Sequence, residues 1–317
     1  MKILLTGATG FIGRHLRHAL IDAGHTLLCT SREYRPDGAR CQWVVVDFAH
    51  VSTTRWCELL AGVDAVVNAA GVFRERGDAT FAVVHGTGAR RLFVACVHAG
   101  VRRVVQVSAL GADGSARSPF HMSKRAADEH LLSLPLDATV VQPSLVFGLD
   151  SASSRAMLTW ASLPLVPLPA GGLQPLQPVH VADVADAVVA LLPARDLWRG
   201  QRIALVGPAQ LTLRDYLRAL RAGLGLVSWR ACTVPPSWLP IALRVAEGWP
   251  RARSDRAVRL LLQWGRTGDA TAMEALLDRA PRPASRFIEP SVARETRRLA
   301  RFAWLLPLVD SNAKRSD

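Results

Sequence analysis

Cysteine, lysine and tyrosine are scarce in this chain of 317 residues. The 5 cysteines (Cys29, Cys41, Cys57, Cys96 and Cys232) are odd in number and contain no C-x-x-C pair. That pattern argues against a disulfide framework and a thiolate zinc site, and fits a reducing compartment. The 9 histidines form no recognisable ligand set, so no metal is expected. No apolar run reaches the length a bilayer span needs. Met1-Lys2 leads directly into an apolar run, which leaves no room for a signal peptide and places the chain in the cytoplasm by expectation. Lysine occurs only at Lys2, Lys124 and Lys314, and tyrosine only at Tyr34 and Tyr216. Positive charge is therefore carried by arginine.

That charge is unevenly placed. Net charge is +13, with 19 basic and 16 acidic residues in 1–200 but 20 basic and 10 acidic residues in 201–317. Trp198, Trp229, Trp238, Trp249, Trp264 and Trp304 also fall in or beside the second part. Arginine interleaved with tryptophan suits an anionic membrane surface or an acidic protein partner, and equally a solvated basic face. No nucleic-acid-binding motif accompanies the charge, so no nucleic-acid partner is expected. A composition 50% hydrophobic supports one large domain with an appendage, or two modest ones.

The most informative stretch is Leu5-Thr6-Gly7-Ala8-Thr9-Gly10-Phe11-Ile12-Gly13, a glycine-rich turn between an apolar strand and an amphipathic helix spanning Phe11–Ala23. Such a turn binds phosphate. Gly7 permits the tight turn, Gly10 keeps side chains away from a pyrophosphate, and Gly13 lets helix and strand approach. The helix N-terminus adds free N–H groups and a positive dipole end. Strand before and helix after supply the context the motif requires.

Apolar runs then alternate with helical spacing. Lys2–Leu5, His25–Thr30, Trp43–Val46, Ala65–Asn68, Arg103–Ser108 and Thr139–Gln142 read as strands; His85–Ala99 and Ser123–Leu134 read as helices. This alternation predicts a doubly wound α/β fold with a parallel sheet covered on both faces. After Gly148 the texture changes. Trp160–Pro178 holds five prolines and reads as irregular loop, Val181–Leu192 as a packed helix, Arg202–Val206 as a strand, and Thr212–Ala222 as a helix capped by Thr212. Pro235-Pro236 breaks the chain. Leu239–Glu247, Asp255–Trp264, Thr271–Arg279 and Ser291–Trp304 look helical, the last with Ser291 and Glu295 at its start. The expected division is a dinucleotide-binding part over 1–150, completed by sheet elements in 178–207, and a smaller, mainly helical substrate or docking region over most of 151–317.

Further motifs follow in order: V-V-D-F at 45–48, N-A-A-G at 68–71, V-S-A-L-G-A-D at 107–113, S-K at 123–124, Q-P-S-L-V-F-G at 142–148 and P-V-H-V-A-D-V-A at 178–185. With the glycine turn, this set resembles the short-chain dehydrogenase/reductase superfamily in its extended or atypical branch, from Met1 to about Arg221. It is most similar to NAD(P)H-binding proteins akin to the accessory subunit of respiratory complex I and to bacterial relatives fused to a DoxX-like membrane domain. The resemblance implies a Rossmann-type sheet and a nicotinamide dinucleotide. Its contacts would be Gly7, Thr9, Gly10, Phe11, Ile12 and Gly13 in the turn, and Ser31 and Arg32 after the second strand. Asp47 would contact the adenine amino group, or is a turn or cap residue, and Phe48 would flank the ring. Ala69, Ala70 and Gly71, Ser108, Lys124, and Pro143, Ser144 and Val146 complete the implied set.

Cys29-Thr30-Ser31-Arg32 brings no acid to the end of the second strand until Glu33. A carboxylate there would accept the ribose hydroxyls of NAD(H), whereas a guanidinium matches a 2′-phosphate bidentately. NADP(H) is therefore favoured, with help from Arg35, and NAD(H) stays open. The superfamily's catalytic element is Tyr-x-x-x-Lys. In it the lysine holds the nicotinamide ribose and lowers the phenol pKa, so that the tyrosine exchanges a proton with the substrate. Here Lys124 is present, but Phe120 stands four residues earlier. Ser108 lies near the catalytic hydroxyl's place, although that hydroxyl usually falls a residue or two on, at Ala109 or Leu110. His121 is the nearby ionisable replacement, or a solvent-facing or helix-capping residue. His85 and His180 read as packing residues.

Two functions compete: an NADP(H)-dependent oxidoreductase or isomerase with an altered proton donor, and a non-catalytic redox sensor or accessory subunit of a membrane complex. The basic stretch Arg294–Arg301 followed by apolar Phe302–Val309 adds an expectation of peripheral attachment at the inner membrane, against a last helix packed on the core.

Overall fold

The computed structural model describes residues 1–73, 75–193, 196–235 and 267–302. The chain forms two compact units. The first comprises Met1–Ser144, Val181–Val206 and Gly268–Pro281; the second comprises Leu145–His180, Gly207–Thr267 and Arg282–Asp317.

The first unit is built on a seven-stranded sheet. Its strands are β1 (Lys2–Thr6), β2 (Thr26–Ser31), β3 (Cys41–Val45), β4 (Ala65–Asn68), β5 (Arg103–Val107), β6 (Asp137–Pro143) and β11 (Arg202–Leu205). They lie in the order β11-β6-β5-β4-β1-β2-β3 with every neighbouring pair parallel. Near-continuous apolar runs such as Ala65–Asn68, wholly buried, are what a sheet covered on both faces demands. The chain moves outward from β1 to β3, then returns to β4 on the other side of β1. Right-handed crossovers put α1 (Phe11–Asp22) on one face and α2 (Thr53–Leu59), α3 (Ala89–Ala99) and α4 (Pro119–Leu132) on the other. Beneath the second group lies a core of Leu4, Trp56, Val66, Leu92, Phe93, Val104, Leu131 and Val140. The reversal between β1 and β4 opens a crevice at the carboxyl ends of these strands, where open α/β sheets take ligands.

Three details differ from the sequence reading. First, α4 begins at Pro119 rather than Ser123, because Ser118 caps it, accepting from the His121 N–H at 3.2 Å, and Pro119 occupies the first turn, where its missing donor costs nothing. Second, the helix expected over His85–Ala99 is preceded by a π-helical stretch, Ala82–Gly88, which contains His85. Third, the proline-rich segment Trp160–Pro178 carries two short strands, β8 (Val166–Pro169) and β9 (Pro175–Leu176), where proline is tolerated because the pairings are two-stranded edges.

The second unit holds β7 (Val146–Phe147) paired with β10 (Val179–His180), β8 paired with β13 (Ala231–Val234), and β9 paired with β12 (Leu211–Thr212). Around them pack α5 (Ala152–Ser162), α7 (Leu213–Gly223) and the helix Ala293–Phe302. Their core gathers Phe147, Leu158, Leu168, Tyr216, Leu220, Phe287 and Ala300. Thr212 caps α7 as expected, accepting from the Asp215 N–H at 3.1 Å. Within 178–207, β11 joins the large sheet, α6 (Val181–Leu191) belongs to the first unit, and β10 pairs in the second. The helical readings at Leu239–Glu247 and Asp255–Trp264, and the apolar run beyond Phe302, lie outside the described residues.

Candidate nucleotide site

The turn after β1 is shaped by its glycines. Gly7 has a φ of +65°, and a methyl group on it would collide with the Ala69 carbonyl. A methyl on Gly13 would strike the carbonyl of Gly7. Gly10 caps α1 without a side chain, its N–H bonded to Gly7 O at 2.9 Å, and the first helical turn carries no acid. The cradle is thus lined by backbone, with α1 presenting its positive end. Thr9, Phe11 and Ile12 sit at or just inside the helix start, and Phe11 is edge-on to His15 at 5.6 Å.

The second wall is the segment after β4. Asn68 is buried and accepts from Thr6 Oγ1 on β1, while its amide donates to Gln106 Oε1 on β5 at 2.7 Å. The same Asn68 oxygen receives the Ala70 N–H at 3.3 Å, which fixes the turn at Ala69-Ala70-Gly71. This three-strand ladder escaped the sequence reading; the only signal was a polar residue at the end of an apolar strand.

At the adenosine end, Ser31 is buried and Arg32 exposed. Ser31 Oγ accepts from the Glu33 N–H at 3.2 Å and from Arg35 Nε at 3.4 Å. Arg35 and Arg17 both stand over the Trp43 ring, at 5.5 and 5.4 Å, so the guanidinium of α1 joins those after β2. Asp47 is exposed, closes its own turn by accepting from the Ala49 N–H at 3.0 Å and lies 3.7 Å from His50. Phe48 is half-buried with its ring edge on Trp56.

The other end is assembled around Gly71. A methyl there would come within 3.1 Å of Lys124 Nζ and 3.3 Å of His85 Nε2. Lys124 is buried and donates to Val107 O at 3.0 Å. Burial pushes its pKa down to about 8, partly offset by the Asp128 carboxylate one helical turn on. Asp128 is fully buried, receives the Ser108 hydroxyl on Oδ2, and is pushed up to about 7 by burial. Ser108 therefore turns its hydroxyl toward α4.

His85 accepts the Val72 N–H on Nε2 at 3.1 Å. Nδ1 then carries the proton and donates to Ser123 Oγ at 2.9 Å, which in turn donates to Phe120 O at 2.8 Å. Burial and the Lys124 charge hold this imidazole neutral, far below its usual pKa. His85 is thus a wired wall of the site rather than a mere packing residue. Phe120 stacks on Phe73 at 5.2 Å and meets Phe81 and His85 edge-on at 5.9 and 5.6 Å. His121 is buried, not solvent-facing, with Nδ1 2.7 Å from the capping Ser118 hydroxyl. Neither tyrosine stands in: Tyr34 is 83% exposed after β2, and Tyr216 is buried in the second unit's core. Pro143 ends β6, Ser144 closes the first unit, and Val146 lies on β7 of the second. His180, on β10, packs against Phe287 and lies 3.0 Å from Arg282. Among the described residues no His, Cys, Asp and Glu group could hold a metal, and no helix is long and apolar enough to cross a membrane.

The model of the NAD dependent epimerase/dehydratase family matches residues 3–207. The chain is 31% identical, over 66% of its length, to the mitochondrial NADH dehydrogenase (ubiquinone) 1 alpha subcomplex subunit 9 of Arabidopsis thaliana, and spans 54% of that protein. It is 29% identical to the ceramide reductase of Caulobacter vibrioides over 78% of this chain and 89% of that one. In fold it is similar to a nucleoside-diphosphate-sugar epimerase from Staphylococcus aureus, with a TM-score of 0.71 at 18% identity, covering 91% of this chain and 99% of that one.

Proposed function

The chain belongs to the NAD dependent epimerase/dehydratase family, and from that premise we propose that it holds NADP(H) at the sheet's carboxyl edge without supplying the family's tyrosine proton. The observation that carries this reading is the pairing of a retained, buried Lys124 with Phe120 enclosed by Phe73, Phe81 and His85. The residues present fit the cofactor: Gly7 and Gly13, where a methyl would strike the Ala69 and Gly7 carbonyls, let the turn close tightly, and Gly10 leaves the N-terminus of α1 without a side chain in front of it, as a pyrophosphate requires. Arg32, with Arg35, would take the 2′-phosphate, Asp47 would contact the adenine with Phe48 beside its ring, and Lys124 would hold the nicotinamide ribose. When bound, the nicotinamide would supply or accept a hydride. Phe120 has no proton to give, and neutral His85 spends its own on Ser123. The chain is therefore a cofactor-holding protein with slow carbonyl chemistry. Fluorescence titration of NADPH against wild type and Gly10→Glu tests it: binding lost in the variant supports the reading, and equal affinity removes it.

A second reading, turnover with His121 as donor, is favoured by the kinship with the Caulobacter ceramide reductase over most of that protein's length. Rapid reduction of simple ketones by wild type, abolished in His121→Ala, would establish it. The arginine excess of 201–317 further supports peripheral attachment to an anionic membrane surface.

A further inference from the structure

Within the second unit, α7 ends in a loop whose shape is fixed from below. Gly225 has a φ of +70°, and the N–H groups of Gly225 and Leu226 return to Ala222 O and Arg221 O at 2.8 and 3.1 Å. Arg221 is buried, donates from Nη1 to Ala161 O and Leu163 O at 2.7 Å each, and donates from Nε to Ser228 O. These bonds tie the loop to the end of α5 and leave Val227 at its tip, 99% exposed. The buried Arg221 thus holds the backbone of the loop, and with it the position of Val227, in one conformation.

Cations surround that tip. Arg218 stands over the Trp229 ring at 5.5 Å, Arg230 is exposed beside it in sequence, and Arg297 reaches Gly225 O at 3.5 Å from the helix Ala293–Phe302. A hollow of about 310 Å³ lies between Arg218, Arg221, Leu226, Val227 and Trp229, with no carboxylate among the described residues that line it. Asp215 lies 3.8 Å from Arg218.

We propose that this loop is the membrane-contacting element of the chain, with Val227 entering the acyl boundary of an anionic phospholipid surface and Arg218, Arg230 and Arg297 meeting its phosphates. The proposal rests on the peripheral-attachment reading above and gives it an address other than the tail. A half-buried tryptophan below an exposed aliphatic tip, ringed by guanidiniums, matches the layering of a bilayer interface: acyl chain, headgroup boundary, phosphate. An acidic protein would pair with the arginines alone, whereas a bilayer interface also takes the aliphatic tip and the tryptophan beside it.

The test is co-sedimentation of the full chain with phosphatidylcholine vesicles, with and without phosphatidylglycerol, at low and high salt. Wild type should bind only when the anionic lipid is present and release at high salt. Val227→Glu should weaken partitioning by about tenfold or more, the share of one aliphatic side chain. Arg218→Ala should weaken it about fivefold, and Lys314→Gln with Arg315→Gln much less than either. Both loop positions are exposed, and unchanged circular dichroism and melting would show that the variants fold. No wild-type binding overturns the peripheral reading and this proposal together. Wild-type binding that survives Val227→Glu and Arg218→Ala, or that is lost only with the tail substitutions, overturns this proposal alone. Displacement by soluble glycerol phosphate at matched phosphate concentration would overturn it in favour of a free-anion site, and binding to polyglutamate but not to vesicles in favour of an acidic partner.

Discussion

The turn after β1 and the start of α4 are joined by one short segment: Ala69 and Ala70 press on Gly7, and Gly71 lies against Lys124 and His85. Yet the two ends keep their motifs to different degrees. The glycine turn is intact because its work is done by backbone. Its requirements are steric, and a single methyl at Gly7 or Gly13 would violate them. The α4 end carries Lys124 with Gly71 beside it, but it has no hydroxyl at Phe120, none at Ala109 or Leu110, and the Ser108 hydroxyl is committed to Asp128. Phe120 stacks on Phe73, and on the reading proposed above it takes a tyrosine's volume without its hydroxyl. On that reading, holding a dinucleotide and moving a proton are separable in this scaffold: the first would depend on where the chain can go, and the second on the hydroxyl absent at Phe120.

Restoring that hydroxyl is the largest test of the contrast. In Phe120→Tyr the phenol would stand one helical turn from Lys124, whose charge favours the phenolate. General acid help is typically worth about 10²–10⁴-fold, so NADPH-dependent reduction of a simple ketone should rise by that order, while NADPH affinity stays near wild type. Unchanged turnover with unchanged affinity would mean that proton supply is not what separates the two ends.

The sheet was largely legible because buried parallel strands read as apolar runs; Ala65–Asn68 matches the observed β4 residue for residue, and the other strands agree to within two residues at each end. The glycine turn was legible for the same reason that it is conservative in shape: few residues fit. What the sequence hid has physical causes. The helix marked from Ser123 starts four residues earlier, at Pro119, where proline suits the first turn. The π-helical stretch over Ala82–Gly88 has no periodic signature of its own, and it places His85 beside Lys124 rather than into general packing. Asp128 lies within the stretch read as helix, and only the structure brings it under Ser108. Contacts between elements distant in the chain, such as the Ser108–Asp128 bond or the Thr6–Asn68–Gln106 ladder, are set by tertiary packing, which single-sequence periodicity does not carry.

The adenosine end sharpens the comparison at a smaller scale, because there a side chain rather than backbone makes the distinction. Charge-assisted hydrogen bonds contribute about 1.5–3 kcal/mol, and Arg32 is exposed, so screening places it at the lower end of that range. Arg32→Ala should weaken NADPH binding about tenfold and leave NADH unchanged, as read by paired fluorescence titrations. A ratio of the two affinities unaltered by the substitution would move the 2′-phosphate to Arg35 or Arg17, both of which face Trp43.

The smallest effect lies beneath the nicotinamide end, where the Lys124 and Asp128 charges are buried together. Burial lowers Lys124 to about 8 and raises Asp128 to about 7. For Asp128 the folded protein holds its proton more tightly than the unfolded chain, so its contribution to stability is complete below the ordinary carboxylate range and is lost as pH rises through about 7. For Lys124 the folded protein holds its proton less tightly. Its contribution is complete above the ordinary lysine range and is lost as pH falls through about 8. Both groups are charged and buried between these values, so thermal stability should pass through a minimum there. Cofactor binding responds differently, because it needs Lys124 protonated to hold the ribose. NADPH affinity in wild type should fall as pH rises past about 8. Asp128→Asn keeps an oxygen for the Ser108 hydroxyl but removes the charge that sustains Lys124. In that variant the loss of NADPH affinity should move to lower pH, and the stability minimum should disappear. A pH profile of affinity that coincides with wild type, in a variant that melts normally, would mean that Lys124 keeps its proton without Asp128.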